Sequence, residues 1–197
     1  MNRFKTFISH PLFVLFGILT IDQIFKFWIK TTMYLGEEIP VLGDWFIIHF
    51  TENPGMAFGM ELGGDYGKLI LTLFRIIVVG GIFYWLRGMI KENAKPIAIT
   101  AVSLVLAGAI GNIIDSVFYG VFFNESYGQL ASFLPAEGGY AGWFHGRVVD
   151  MLYFPLFRGY LPDWIPFWGG DYFVFFRPIF NVADTSISFG VGLLLVF

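Results

Sequence analysis

The sequence predicts a membrane protein, mainly α-helical, with four transmembrane helices. Hydrophobic residues make up 56% of the 197-residue chain and charged residues only 14%, where a soluble domain carries about 25% charge. Four stretches are apolar over about the 20 residues that a bilayer crossing takes. Clusters of basic residues before the first stretch and between the second and third orient them by the positive-inside rule. A chain of this length makes one integral membrane domain, residues 1–197.

The first span runs from about Pro11 to Ile29. It lacks a small-residue cleavage site and continues into "TIDQIFKFWIK", so it reads as a retained helix and not a cleaved signal. The second, about Leu69 to Ile90, is interrupted by Arg75. The third is about Pro96 to Phe118, and the fourth about Phe180 to Phe197, barely long enough to cross. Arg3 and Lys5 precede the first span; Arg87, Lys91 and Lys95 separate the second and third. Both flanks are then cytoplasmic, and so are both termini. Of 15 Asp and Glu residues, only Glu92 falls in a cytoplasmic segment.

Two regions, about 31–68 and 119–179, lie outside. In the first, "EEIPVLGDWFIIHFTEN" reads as short strands bounded by turn residues. The second is rich in aromatics, Gly and Pro without clear periodicity, and reads as loops and short helices on the outer surface. Tyr and Trp favour the membrane interface. The expectation is a cover with Trp143, Trp164 and Trp168 at headgroup depth.

The composition excludes several chemistries. A net charge of −3 gives no reason to invoke nucleic acid, and without cysteine there is neither a disulfide nor a thiol nucleophile. His10, His49 and His145 have no metal-ligand spacing, and no cofactor is expected.

Polar residues at membrane depth are costly and become functional candidates by default. Asp22 and Lys26 share a helix face four residues apart. They read either as an ion pair with a snorkelling lysine, or as an acid that orients substrate or fixes neighbouring backbone. Asn53 stands at the "NPG" turn, where simple turn chemistry competes with function. In "AGAIGNIIDSVFYG", Gly108 and Gly111 permit close approach of a helix or a ligand, and Asn112 and Asp115 follow on one face. Asp150 lies in "GRVVDMLYF", flanked by apolar pairs. Asn181 and Asp184 repeat the Asn-x-x-Asp spacing in "FNVADTSISFG"; helix-dipole stabilisation accounts for one such acid but not for the repetition. Two carboxylates held close in a low dielectric share a proton and act together as base and acid, the chemistry of an aspartyl peptidase.

The ordered set "ID-x-x-x-K", "N-P-G-x-A-F-G", "G-A-x-G-N-x-x-D", "V-V-D" and "F-N-x-A-D-x-x-I-x-x-G", from Asp22 to Gly190, closely resembles the lipoprotein signal peptidases, signal peptidase II. The resemblance implies a four-span aspartyl peptidase of the bacterial cytoplasmic (inner) membrane, with its active site near the outer face. It would cut the signal peptide from prolipoproteins just before a diacylglyceryl-modified cysteine. It further implies that Asp150 and Asp184 are the catalytic pair, with Asp22, Lys26, Asn53, Gly108, Asn112, Asp115 and Asn181 in support. The first outer region would be a small extracytoplasmic β-cradle, beside an enlarged extracytoplasmic loop region. Partners would be the lipid-modified substrate and membrane lipids, and globomycin-like cyclic peptides would inhibit. Two departures stand out. The family reads N-x-x-D-R, but here Ser116 follows Asp115, and Arg147 is the candidate for the displaced cation. The outer segments on either side of Asp150 are longer than in the family.

A proton-coupled transporter or channel also uses intramembrane Asp residues, but the chain shows no inverted repeat. A structural scaffold is the third reading; it predicts that Asp150→Asn and Asp184→Asn leave function intact.

Overall fold

The computed structural model describes residues 10–54 and 64–197. Arg3, Lys5 and the "N-P-G-x-A-F-G" block beyond Pro54 lie outside the described residues. Helix α1 spans Pro11–Thr32, with proline in its first turn and His10 Nδ1 accepting from the Leu12 N–H at 3.4 Å. Helix α2 spans Gly64–Lys91, and α3 spans Pro96–Phe122, again begun by proline. These three are long and apolar enough to cross a membrane. Helix α4, Val182–Val196, has 15 residues. It rises about 22 Å at 1.5 Å per residue, short of a hydrocarbon core of about 30 Å.

Small residues draw the helices together. A Cβ on Gly108 would lie 2.2 Å from the Ala183 carbonyl oxygen of α4, and one on Gly190 would lie 2.6 Å from that of Ala101. A Cβ on Gly111 would meet Asp22 Oδ2 at 2.8 Å. Beside Gly108 the α4 backbone makes the close helix approach that a small residue permits.

Helix α3 changes winding before it ends. Asp115–Tyr119 form a π turn, followed by a last turn at Gly120–Phe122. Its loosened carbonyls find partners in the following loop: Gly146 N–H donates to the Ser116 oxygen at 2.8 Å and Phe144 N–H to that of Val117 at 3.2 Å.

Strands β1 (Glu38–Leu42), β2 (Phe46–Asn53), β3 (Val148–Tyr153) and β6 (Ile179–Phe180) make an antiparallel sheet in the order β1-β2-β3-β6. Strands β4 (Phe157–Tyr160) and β5 (Tyr172–Phe175) pair as a separate ribbon. The second outer region thus holds strands where the sequence reading expects loops and short helices. Strand β3 is buried on both faces, so the period-two alternation that marks a half-exposed strand is missing. The sheet sits against the C-terminal ends of α1 and α3 and the N-terminus of α4. Ile29, Met33, Phe50, Tyr119, Phe123, Val149 and Met151 form the apolar core of that junction.

Candidate active site

Two elements deliver carboxylates to one place, and two more deliver amides that bind them. Strand β3 carries Asp150 in register opposite Thr51 of β2. One step diagonally along, Asn53 Nδ2 reaches Asp150 Oδ2 at 3.4 Å, so this asparagine faces the carboxylate and does not merely shape its turn. Helix α4 begins at Asn181, which with Asp184 forms a reciprocal capping box: Asp184 N–H donates to Asn181 Oδ1 at 2.8 Å, and Asn181 N–H donates to Asp184 Oδ2 at 3.4 Å. The same Asn181 donates through Nδ2 to Asp150 Oδ1 at 2.7 Å. One residue therefore joins both acids, its side chain donating to the Asp150 carboxylate and its backbone N–H to that of Asp184. Asn112 Nδ2 donates to Asp184 Oδ1 at 2.7 Å, and its Oδ1 accepts from Asn181 at 3.0 Å. The helix-start explanation of Asp184 holds, and the capping geometry also aims it into a polar cluster.

Beneath this cluster lies a buried charged base. Lys26 Nζ is 2.9 Å from Asp22, 2.8 Å from Asp115 and 2.9 Å from Asn112 Oδ1, and all three charged side chains are inaccessible. Lys26 thus points inward and does not snorkel, because two carboxylates await it there. Each acid also orders backbone. Asp22 Oδ1 accepts from Ala183 N–H in the first turn of α4 at 2.9 Å, and Asp115 Oδ2 accepts from Val149 N–H, beside Asp150, at 3.2 Å. The base therefore fixes the two segments that carry Asp150 and Asp184. Arg75 of α2 is within electrostatic reach of Asp184.

Asp150 is almost completely buried. Burial first, and then the nearby Asp184 charge, pushes its carboxyl up to about 7, against the opposing pull of Lys26 and the Asn53 and Asn181 amides. Such a group exchanges a proton near neutrality, as acid–base chemistry requires.

Arg147 is elsewhere than expected. It pairs with Glu52 at 2.9 Å and Glu125 at 2.6 Å, while the cation at Asp115 is Lys26. Gln23 is a member of the cluster that sequence reasoning missed. Its Nε2 donates to Asp115 Oδ1 at 3.0 Å and Asp22 Oδ2 at 3.1 Å, and its Oε1 accepts from the Tyr119 hydroxyl at 3.2 Å. The available signal was a polar residue beside Asp22 inside an apolar span.

Residues 14–197 match the family model described as "Signal peptidase (SPase) II". The chain is 56% identical over 180 residues to the lipoprotein signal peptidase of Porphyromonas gingivalis, covering 91% of this chain and 78% of that one. It is 42% identical to that of Amoebophilus asiaticus, covering 89% and 72%. A bacterial membrane enzyme solved by the in meso method at 1.9 Å superposes with a TM-score of 0.62 at 25% identity, over 96% of this chain and 92% of that one.

Proposed function

The chain belongs to the signal peptidase II family, and from that premise we propose that it is a membrane aspartyl endopeptidase that cuts the signal peptide from diacylglyceryl-modified prolipoproteins, with Asp150 and Asp184 as the reacting carboxylates. The observation that carries the assignment is Asn181, hydrogen-bonded to both acids.

In this reading Asp184 takes a proton from water as the water oxygen attacks the scissile carbonyl. Protonated Asp150 gives its proton to the carbonyl oxygen, producing a tetrahedral diol. On collapse the C–N bond breaks, Asp184 passes its proton to the leaving nitrogen, and Asp150 recovers one from the diol. Each carboxyl ends as it began. Asn53, Asn112 and Asn181 hold the acids in place, and Lys26 with Asp22 and Asp115 holds the backbone that bears them.

Helix α4 serves as the fourth, short span, with both termini cytoplasmic and the sheet on the outer face of the inner membrane. A lipid-anchored substrate then presents its cleavage site at the depth of Asp150 and Asp184. The aromatic ribbon lies over the site at the headgroup level, with Trp164 and Trp168, and Trp143 marks the same depth on the neighbouring loop. A globomycin-like cyclic peptide would occupy the substrate's place.

The deciding experiment is incubation of the purified protein with a diacylglyceryl-modified prolipoprotein. Asp150→Asn and Asp184→Asn should each lower cleavage by about 10⁴-fold or more; wild-type cleavage by either variant removes that acid from the mechanism. The pH profile supplies a second check. Since Asp150 titrates near 7 and works as its acid form, kcat/KM should fall on the alkaline side with a limb close to that value. The stability effect runs the same way: the raised carboxyl favours the fold fully below its unfolded value of 3.8, and this is lost as pH rises through about 7.

A further inference from the structure

A second ionic cluster stands behind the strand pair that carries Asp150. Successive side chains of a strand point to opposite faces, so Asn53 faces Asp150 while Glu52 faces away. The Glu52 carboxylate is nearly inaccessible. Its Oε1 accepts from Lys30 Nζ and, at 2.8 Å, from Ser126 Oγ; its Oε2 accepts from Arg147 Nη1 at 2.9 Å. Arg147 in turn grips Glu125 with both guanidinium nitrogens, at 2.6 and 3.0 Å. The Tyr140 ring packs between the cations, 5.0 Å from Lys30 Nζ and 4.8 Å from Arg147 Cζ.

The four charges alternate along a chain, Lys30–Glu52–Arg147–Glu125, and sum to zero. They join three elements: α1, β2 and both ends of the long loop that leads into β3. Lys30 follows Lys26 by one helical turn. Helix α1 therefore holds the strand pair from both sides, through Lys26 and Asp115 in front and Lys30 and Glu52 behind. Buried ion pairs are weak contributors to stability, and apolar residues would hold a core as well. What they add is direction: a bidentate arginine fixes the angle and register of what it joins.

We propose that this chain positions Asn53 and Asp150 for cleavage, so that Arg147 and Glu125 are positioning residues of the peptidase, although neither touches the reacting carboxylates. The proposal rests on the assignment of Asp150 and Asp184 as the reacting pair. It requires that loosening the rear of the strand pair slow the chemical step while leaving substrate binding in place.

The test uses the full chain, purified into lipid nanodiscs, with a synthetic diacylglyceryl lipopeptide as substrate. Arg147→Gln should lower kcat about 10- to 100-fold, the scale of a small misplacement of a catalytic group, with KM changed by less than about twofold. Arg147→Lys keeps the charge without the fork and should recover only part of the rate. Glu125→Gln should show the same pattern with a smaller loss. Exchanging the pair, Glu125→Arg with Arg147→Glu, restores a loop tether but sets a carboxylate beside Glu52; it should not rescue kcat, and rescue would mean that the cluster only ties down the loop. A folded Arg147→Gln protein with wild-type kcat, or a loss borne by KM, overturns the proposal. If Arg147→Gln fails to fold, Glu125→Gln decides alone, and an unchanged kcat there overturns it. Asp150→Asn in the same assay keeps the two ideas apart. Retained cleavage by that variant defeats the underlying assignment, whereas its inactivity beside a fully active Arg147→Gln defeats only the positioning role.

Discussion

The two long segments on either side of β3 share a composition, aromatic residues among Gly and Pro, and fold in opposite ways. The first, residues 123–147, is anchored into the interior at several points while its outer turns stay exposed. Phe123 and Ala131 join the core at the end of α1, Ser126 is fully buried against Lys30, and the backbone of residues 144–146 completes the π turn. The second, residues 154–178, is a ribbon with Trp164 79% and Phe167 97% exposed. Its ties to the sheet lie at its base: Phe154 stacks on Phe46 at 4.7 Å and on Phe180 at 5.6 Å, Phe176 meets Phe180 edge-on at 6.2 Å, and Arg158 lies 3.6 Å from Glu38 and stacks on Tyr153 at 4.9 Å. Composition does not separate these fates. The first segment carries polar atoms that complete charges and carbonyls waiting in the scaffold, and glycines where backbone must approach. The second stacks rings only at its base and holds Trp164, Phe167 and Trp168 exposed at its tip.

The largest expected effect comes from cutting the first segment loose. A Cβ on Gly146 would lie 2.0 Å from the Asp115 carbonyl oxygen, with helix backbone that cannot yield. Phe123→Ala would empty a fully buried site, at a cost of about 3–5 kcal/mol. Both Gly146→Ala and Phe123→Ala should lower the unfolding midpoint of the purified protein sharply. A mild effect of either would put the first segment in the same class as the ribbon and erase the contrast. Deleting Phe122–Gly142 should lower the midpoint further, since Phe123 and Tyr140 leave the core and Ser126 leaves Lys30.

A smaller effect tests whether the tether is electrostatic. The hydrogen bond from Arg147 holds the Glu125 carboxyl below its ordinary value of 4.5. A depressed carboxyl stabilises above its unfolded value and loses that contribution as pH falls through the folded one. Stability measured from pH 6 downward should therefore contain a component that Glu125→Gln abolishes. The group is well exposed, so the component should be under about 1 kcal/mol. Identical acid limbs for the two proteins would leave the loop held by packing alone.

The sequence disclosed some of this and hid the rest for identifiable reasons. The long apolar runs gave α1, α2 and α3 directly, since length and composition define a span without knowledge of its neighbours. Asp22, Lys26, Asn112, Asp115, Asp150, Asn181 and Asp184 were each visible as polar residues in apolar surroundings, and the structure brings them into one network. Their partners were not visible. Whether Lys26 snorkels or turns inward depends on Asp115, 89 residues away. The missing arginine at Ser116 points Arg147 toward Asp115, whereas Glu52 and Glu125 claim it. Glu52, Lys30 and Gln23 carried no motif of their own. Strand β3 escaped because burial on both faces removes the alternation by which strands are read.

The smallest effect on stability should come from the ribbon, where the effect on function matters instead. Residues 162–170 form its tip, "PDWIPFWGG", and include Trp164, Phe167 and Trp168, all exposed. Replacing the tip with a Gly-Ser linker removes apolar surface that contributes little to the core. The unfolding free energy should change by no more than about 0.5 kcal/mol, the usual scale for surface changes. If the ribbon covers the site at the lipid surface, turnover must still suffer, because covers exclude water and gate access. Cleavage of a lipopeptide in nanodiscs should then fall several-fold while Asp150 and its partners stay in place. Normal kinetics in nanodiscs, with a processing defect confined to cells, would make the ribbon a docking surface for another protein, as large exposed apolar patches also are. A large loss of stability would mean that the tip packs as tightly as the first segment, and the contrast between the two segments would fail.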